Sequence, residues 1–455
     1  MNETIVRTAL HQAAEGIEPF PVLDAAMRQA RRRRFGRLVA VPAAVALLAA
    51  VAVAGWTGVS RERAERPAGP TQPLPGLPVR LHDPRTGVPT VHDQPPGAMA
   101  VAYTGTNFGA LAESLYVVLS GPAGYRVTDR WPSDEVHVGE EVLLSPAGDR
   151  LASHESADGT TAVLDLRTGR QRLLRRPWGG DMEPLAWAPD NRTMAVVVSP
   201  KNRGGWSDIW NELGLFDTET GTYRRIGRPG GKYSPGFAVA FSRDGQRLAY
   251  QSDDRIDVVD LNGSAVADFL VSPNSRLAGK GAFTPDGAAI AVSVTEGCCT
   301  HRFAFHDIAT GVEQPERRSV AVPDTGALRL LGWSPRGEAV AVAFRHDPGA
   351  EPASDAGRTW FEVVRRVEVV TVGSGAVIIN ASSNVQAVDL ADQAIATGQM
   401  VTAPPKPTGF DPPFPLAFED LPVVAILLLP VSVPVVAVIS LVWLVRWRRR
   451  ARRRA

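Results

Sequence analysis

The chain has 455 residues, with 49 Lys and Arg against 48 Asp and Glu, so its formal net charge is only +1. That balance hides an asymmetry: residues 1–37 carry seven Arg and four acids, residues 446–455 seven Arg and no acid, and the stretch between holds 35 bases against 44 acids. Length alone would allow two or three domains, while the acidic middle excludes nucleic acid as the expected partner.

In chain order, the basic head comes first. Residues 5–14 and 22–30 have helix-like apolar spacing, interrupted by Pro19 and Pro21. Residues 38–56 are nearly all Ala, Val and Leu without a charge, close to the roughly 20 residues a bilayer-spanning helix needs. Arg31, Arg32, Arg33, Arg34 and Arg37 precede this run, which places the head in the cytoplasm by the positive-inside rule. A cleaved signal peptide is the competing reading, because Ala50-Val51-Ala52 and Ala52-Val53-Ala54 resemble small-residue cleavage sites. The long organised head favours an uncleaved anchor. Residues 57–97, rich in Pro and Gly, read as a linker.

A phrase then recurs. It reads Leu144-Ser145-Pro146-Ala147-Gly148-Asp149-Arg150-Leu151-Ala152 and returns with the Pro146 position at 189, 243, 285 and 335, at intervals of 43, 54, 42 and 50 residues. Phe283-Thr284-Pro285-Asp286-Gly287 is a clear copy. Pro presets φ, Asp bonds the backbone and Gly accepts positive φ, so each copy predicts a tight turn between two short apolar strands. A second turn signal follows in each unit, as in Asp165-Leu166-Arg167-Thr168-Gly169 and Asp217-Thr218-Glu219-Thr220-Gly221, before a more polar fourth strand. Four short strands per 40–50 residues predict an all-β propeller.

The phrase resembles the WD-repeat-like propeller repeat of TolB-type proteins, over about residues 98–400. Departures are Asn191 for Gly, Arg243 for Pro and Arg336 for Asp. Segments 98–130, 141–175, 185–227, 237–270, 280–316 and 329–380 give six blades. The first lacks an innermost strand, which a strand at 385–390 would supply while locking the ring. A seventh blade would form instead if 385–398 paired with 79–92.

Residues 401–420, with many prolines, read as a tether, and 421–445 as a second transmembrane helix interrupted by Pro430, Ser432 and Pro434. The basic tail at 446–455 follows, with Trp443 and Trp447 suited to an interfacial anchor. Both ends are then expected in the cytoplasm and the propeller outside, at a cell membrane whose lipid bilayer is one partner. The 45 Arg against four Lys suggest a GC-rich genome of the actinobacterial type.

Candidate sites are few. Cys298 and Cys299 are adjacent and are the only cysteines, so a vicinal disulfide walling a pocket is one expectation and a plain loop pair the other. His301 and His306 stand near these sulfurs, but the spacing matches no zinc pattern and no metal site is expected. Trp206 and Trp210 lie in a long insertion at 199–212, where they would stack on a partner or pack on their own blade. Trp187 and Trp333 are expected in the core, and the sequon Asn191-Arg192-Thr193 sits in a blade turn. No Gly-x-Ser-x-Gly, His-Glu-x-x-His, phosphate loop or dinucleotide fingerprint occurs, so no catalytic residue and no cofactor are expected. These readings converge on a non-enzymatic, membrane-anchored extracytoplasmic propeller that binds an envelope protein or a small ligand. An envelope enzyme with a site in the propeller channel is the alternative.

Overall fold

A computed structural model describes residues 76–402, except 83–87, 109–112, 122–123, 129–137, 156–158, 176–179, 200–211, 229–235, 298, 318, 347–363 and 382–383. The two apolar runs at 38–56 and 421–445 lie outside the described residues. Among the described residues no helix is long and apolar enough to cross a membrane.

Six antiparallel sheets form the six blades of a β-propeller. Blade 2 runs Val142–Leu144, Arg150–Glu155, Thr160–Asp165 and Gln171–Leu174 from the inner to the outer edge. Blade 3 runs Asp181–Trp187, Thr193–Ser199, Glu212–Asp217 and Tyr223–Gly227, and blade 4 Val239–Phe241, Arg247–Ser252, Arg255–Asp260 and Ala265–Leu270. Blade 6 starts with Thr325–Trp333 and Ala339–His346, continues with Val364–Thr371 and Ala376–Ala381, and gains Arg80–Leu81 as a fifth, parallel strand.

The repeated phrase builds the turn its residues predict. Gly148, Gly245, Gly287 and Gly337 have φ between 65° and 76°. Each N–H donates to the carbonyl three residues back, on Ser145, Ser242, Thr284 or Ser334, at 2.8–2.9 Å. The Ser or Thr hydroxyl accepts the N–H of the next strand, as Arg150 to Ser145 at 3.0 Å and Arg247 to Ser242 at 2.9 Å. At the one copy without Gly, Asn191 takes φ 59°, a left-handed conformation that Asn tolerates better than most residues. Its amide bridges to the preceding blade, accepting from Ala147 N at 3.1 Å and donating to Asp149 at 2.8 Å. The sequon at this position is therefore part of an inter-blade contact.

The ring closes with the C-terminal strand. Val385–Leu390 pairs antiparallel with Val101–Phe108 and so becomes the inner strand of blade 1, followed by Glu113–Gly121 and Gly124–Val127. Val385, Ala387, Val388 and Leu390 are all buried. Joining strands from opposite ends of the chain removes the open edges that a first and last blade would otherwise present.

The seventh-blade alternative is corrected by these pairings. Residues 385–390 belong to blade 1, Arg80–Leu81 joins blade 6, and Leu77–Pro78 pairs with Met400–Val401. Within the stretch read as linker, Val88 and Val91 are buried. A fourth strand in every unit is also corrected. Blade 5 has only Ser275–Leu277, Ala289–Glu296 and Thr300–Asp307 as regular strands. Pro315 interrupts its outer segment and Pro323 follows it, and the segment pairs with the sheet only at two isolated bridges, His306 to Glu313 and His301 to Val322.

Candidate functional site: the axial channel and the loop face

Strand alternation gives the ring two unlike faces. Inner strands all run toward the face that carries the tight turns, here the turn face. The connections between second and third strands leave from the opposite, loop face, and so do the crossovers to the next blade. The ends of the longest insertions, at Ser199 and Glu212 and at His346 and Val364, lie on the loop face.

The channel between the inner strands is closed by charge. Arg329, on the inner strand of blade 6, is fully buried. Its guanidinium donates to Gly139 O at 2.9 Å, Val138 O at 3.2 Å and Val388 O at 2.8 Å, tying blade 6 to blades 1 and 2. Three glycines make room for it. A Cβ on Gly139, Gly236 or Gly279 would collide with the Arg329 side chain, and all three have positive φ. Burial lowers the Arg329 pKa, opposed by Glu140, Asp389 and Glu141.

On the turn side of Arg329 a second cation completes the closure. Lys280 lies 2.9 Å from both Asp389 and Asp392. Burial works to lower its pKa, but the two carboxylates outweigh burial and hold the ammonium above its usual range. Asp389 also accepts Leu144 N–H at 3.0 Å, so the closing strand is pinned to blade 2. The short helix Asp392–Thr397 covers this end, its buried Ile395 over Gly332. A cavity lined by Arg329, Lys280, Asp389 and Trp187 has a volume of about 20 Å³, room for a single water.

On the loop side of Arg329 the channel mouth is acidic. Glu140 is 4% exposed. Its Oε1 stands 3.8 Å from Arg329 Nη1 and accepts no hydrogen bond among the described residues. Burial pushes the carboxyl well above the usual range; Arg329 opposes this, while Glu141 and Glu183 add to it.

A cluster of polar side chains lies at the seam of blades 5 and 6 on the same face. His301 is bracketed by hydroxyls, Nδ1 at 3.1 Å from Thr325 Oγ1 and Nε2 at 3.1 Å from Thr295 Oγ1. Burial pushes its pKa down to about 4, with Arg276 and, when protonated, His346 adding to the effect. His346 is buried, and neither ring nitrogen has a hydrogen-bond partner among the described residues. Cys299 is half-buried beside this cluster, its carbonyl accepting Thr325 N–H at 2.9 Å.

The residues singled out in the sequence fall in different places. Cys298, Trp206 and Trp210 lie outside the described residues. His306 stacks on Phe269 at 5.1 Å, and its Nδ1 is 3.1 Å from Gly311 O, away from His301. No cluster of three or more His, Cys, Asp or Glu suited to a metal occurs among the described residues. Trp187 is buried and donates to Leu143 O at 3.3 Å; Trp333 is partly buried and donates to Gly281 O and Phe283 O. The sequence reading missed Arg329, Lys280 and Glu140. A lone Arg within Leu328-Arg329-Leu330-Leu331 was the available signal.

No family model matches the chain, and no curated protein matches it. Among solved structures it is similar to TolB from Acinetobacter baumannii, at 18% identity and a TM-score of 0.38, covering 63% of each chain. The chain therefore spans less than two thirds of that protein's length. It is also similar to an oligogalacturonate lyase from Vibrio parahaemolyticus, at 10% identity and TM-score 0.38, covering 68% of this chain and 79% of that one. A third likeness is to Chaetomium thermophilum Sqt1 bound to the N-terminus of ribosomal protein L10, at 14% identity and TM-score 0.34, covering 69% and 79%. The fold itself rests on the sheet pairings described above.

Proposed function

We propose that the protein is a non-enzymatic, membrane-anchored, extracytoplasmic binding platform that engages an envelope partner with its loop face. The observation that carries this reading is the contrast between the two ends of the channel. Arg329, Lys280 and the helix at Asp392–Thr397 fill the axis from the turn side. The loop face instead collects the long connections, the acidic mouth and the polar seam. Propellers serve many unrelated functions, so the site and not the fold must supply the argument.

Anchoring rests on the apolar runs at 38–56 and 421–445 and on the Arg clusters outside them. Trp206 and Trp210 belong to an insertion whose ends lie on the loop face, where they would serve as aromatic contacts for the partner. A Cys298–Cys299 ring would stiffen the neighbouring wall.

Crosslinking and pull-down of the full-length protein from its native membrane tests the platform. A stable partner retained through washing is expected; a turnover activity without any partner would overturn the reading. Protease added to spheroplasts should digest the ring and spare tags at both ends. A digested tag or a protected ring would overturn the topology.

A further inference from the structure

The outer edges of the blades are protected unequally. In blade 1, Val127 donates its N–H to Pro89 O at 3.2 Å and its carbonyl accepts Val91 N–H at 2.9 Å, so residues 89–91 cover the edge in parallel. In blade 6, Arg80–Leu81 covers the edge, with Arg80 opposite Asn380 and the Asn380 N–H donating to Val79 O at 3.1 Å. Blade 5 carries Pro315 in its outer segment, and the outer strands of blades 2 and 3 expose Arg172, Arg224 and Arg225. Cover, proline and a basic side chain each discourage a further strand from pairing.

Blade 4 has none of the three. Its outer strand, Ala265–Leu270, ends the sheet among the described residues. Val266 is 49% and Leu270 76% exposed, the latter more than any other large apolar side chain among the described residues. Register makes Asp268 the counterpart of Asn380. One extra residue bulges each outer strand, Val266 in blade 4 and Ile378 in blade 6, and Asp268 and Asn380 come two residues later. Val271 N–H donates to Asp254 O at 2.8 Å, so the alternation of the ladder turns the backbone of Phe269 inward and that of Asp268 and Leu270 outward. Asp268 is the only charge on the strand and is exposed, while its neighbour Asp257 is already paired with Arg255 at 3.0 Å.

We propose that the outer edge of blade 4 receives an extended segment of a partner protein as a fifth, parallel strand, with a basic residue opposite Asp268. The backbone supplies the pairing and the side chains the selection, as in other strand additions. Blade 6 shows the arrangement within this chain, where Arg80 lies opposite the residue that corresponds to Asp268. Opposite charges facing each other across two strands are favourable, and like charges are not. Residues two positions either side of the basic one share its face, so apolar side chains there would cover Val266 and Leu270. The edge is exposed, so the added strand displaces nothing described. This surface is the rim of the ring, distinct from the loop face, and stands or falls separately from the platform reading.

The test uses the full-length protein in detergent and fluorescence anisotropy. The probe is the labelled peptide Ser-Val-Thr-Arg-Thr-Leu-Ser, compared with the same peptide carrying Glu in place of Arg. Wild type should prefer the Arg peptide by about threefold or more. Asp268→Lys should invert that preference, and Leu173→Lys, on the outer strand of blade 2, should leave it unchanged. Equal binding of both peptides, no saturable binding of either, or an unchanged preference in Asp268→Lys would overturn the proposal. Two further readouts need no variant. In blade 1 the amide that follows Thr90 faces the edge, so methylating the amide of the Thr after Arg should abolish binding, while methylating the Arg amide should not. Equal effects of the two methyl groups would refute strand pairing. Hydrogen exchange should slow within residues 265–271 when the Arg peptide binds. Slowing confined to other regions would overturn the site. Concentration-dependent dimerisation abolished by Leu270→Lys, without peptide binding, would mark pairing with a second copy instead and overturn the partner strand.

Discussion

Replacing Arg329 with methionine keeps most of the volume on the propeller axis and removes its three hydrogen bonds to blades 1 and 2. The carbonyls of Val138, Gly139 and Val388 lose their charged donor, and Glu140 loses the cation 3.8 Å away. Removing one partner of a buried ion pair costs about 3–5 kcal/mol, and each hydrogen bond to a charged group contributes about 1.5–3 kcal/mol. These overlap and do not add. Glu140 offsets part of the loss by taking up a proton, because burial already pushes its carboxyl up. The expected net loss is about 3–5 kcal/mol, read from urea unfolding followed by far-UV circular dichroism. Arg167→Met is the matched control. It breaks a 3.0 Å pair with Asp149, but Arg167 is 45% exposed, so about 0–1 kcal/mol is expected. A loss at Arg329 no larger than that of the control would refute the idea that the guanidinium holds the ring.

Deleting 381–400 should abolish the cooperative transition, since it removes the inner strand of blade 1 and eight buried residues between Val385 and Ile395; a truncated chain that melts like the parent would refute closure. Asn191→Ala should cost about 1–2 kcal/mol by thermal melting, from a strained φ and two lost hydrogen bonds, and Asn191→Gly should cost less because glycine keeps the turn. His301 makes stability fall with acid. Its folded pKa, about 4, lies below the unfolded value of 6.5, so the unfolded chain binds the proton first and stability drops between about pH 6.5 and pH 4, by about 3 kcal/mol at most. Urea midpoints at pH 7 and pH 4 check this, and His301→Gln should flatten the slope. Intact mass with and without alkylation, on protein purified without reductant, separates the two readings of Cys298 and Cys299: no added alkyl group marks a vicinal bond, and two added groups mark a plain loop pair.

The turns were legible because their residues have few other uses. A Ser or Thr, a Pro and a Gly in phase specify an i to i+3 turn whatever surrounds them, and the structure places Ser145, Ser242, Thr284 and Ser334 in the same role. The closing strand was legible by subtraction, since blade 1 had no inner strand before Val101 and an apolar stretch remained at Val385. The axial closure was not legible. Arg329, Lys280 and Asp389 come from blades 6, 5 and 1 and meet only after the ring closes, so no local spacing records their contact. Glu140 follows Gly139 in a short segment whose polarity reads as surface, and its burial depends on Gly236, nearly a hundred residues on. The outer edge of blade 5 was misread because its polar composition matched a fourth strand, while its prolines deny it a regular ladder.

Site-resolved photo-crosslinking in the native membrane tests the claim that the loop face engages the partner. A crosslinking residue is placed at Asp181, Arg276 or Glu296 on the loop face, or at Thr168, Thr220 or Thr310 on the turn face, all exposed positions. Protein adducts are expected from the loop-face positions alone. Adducts from the turn face, or none from the loop face, would contradict it.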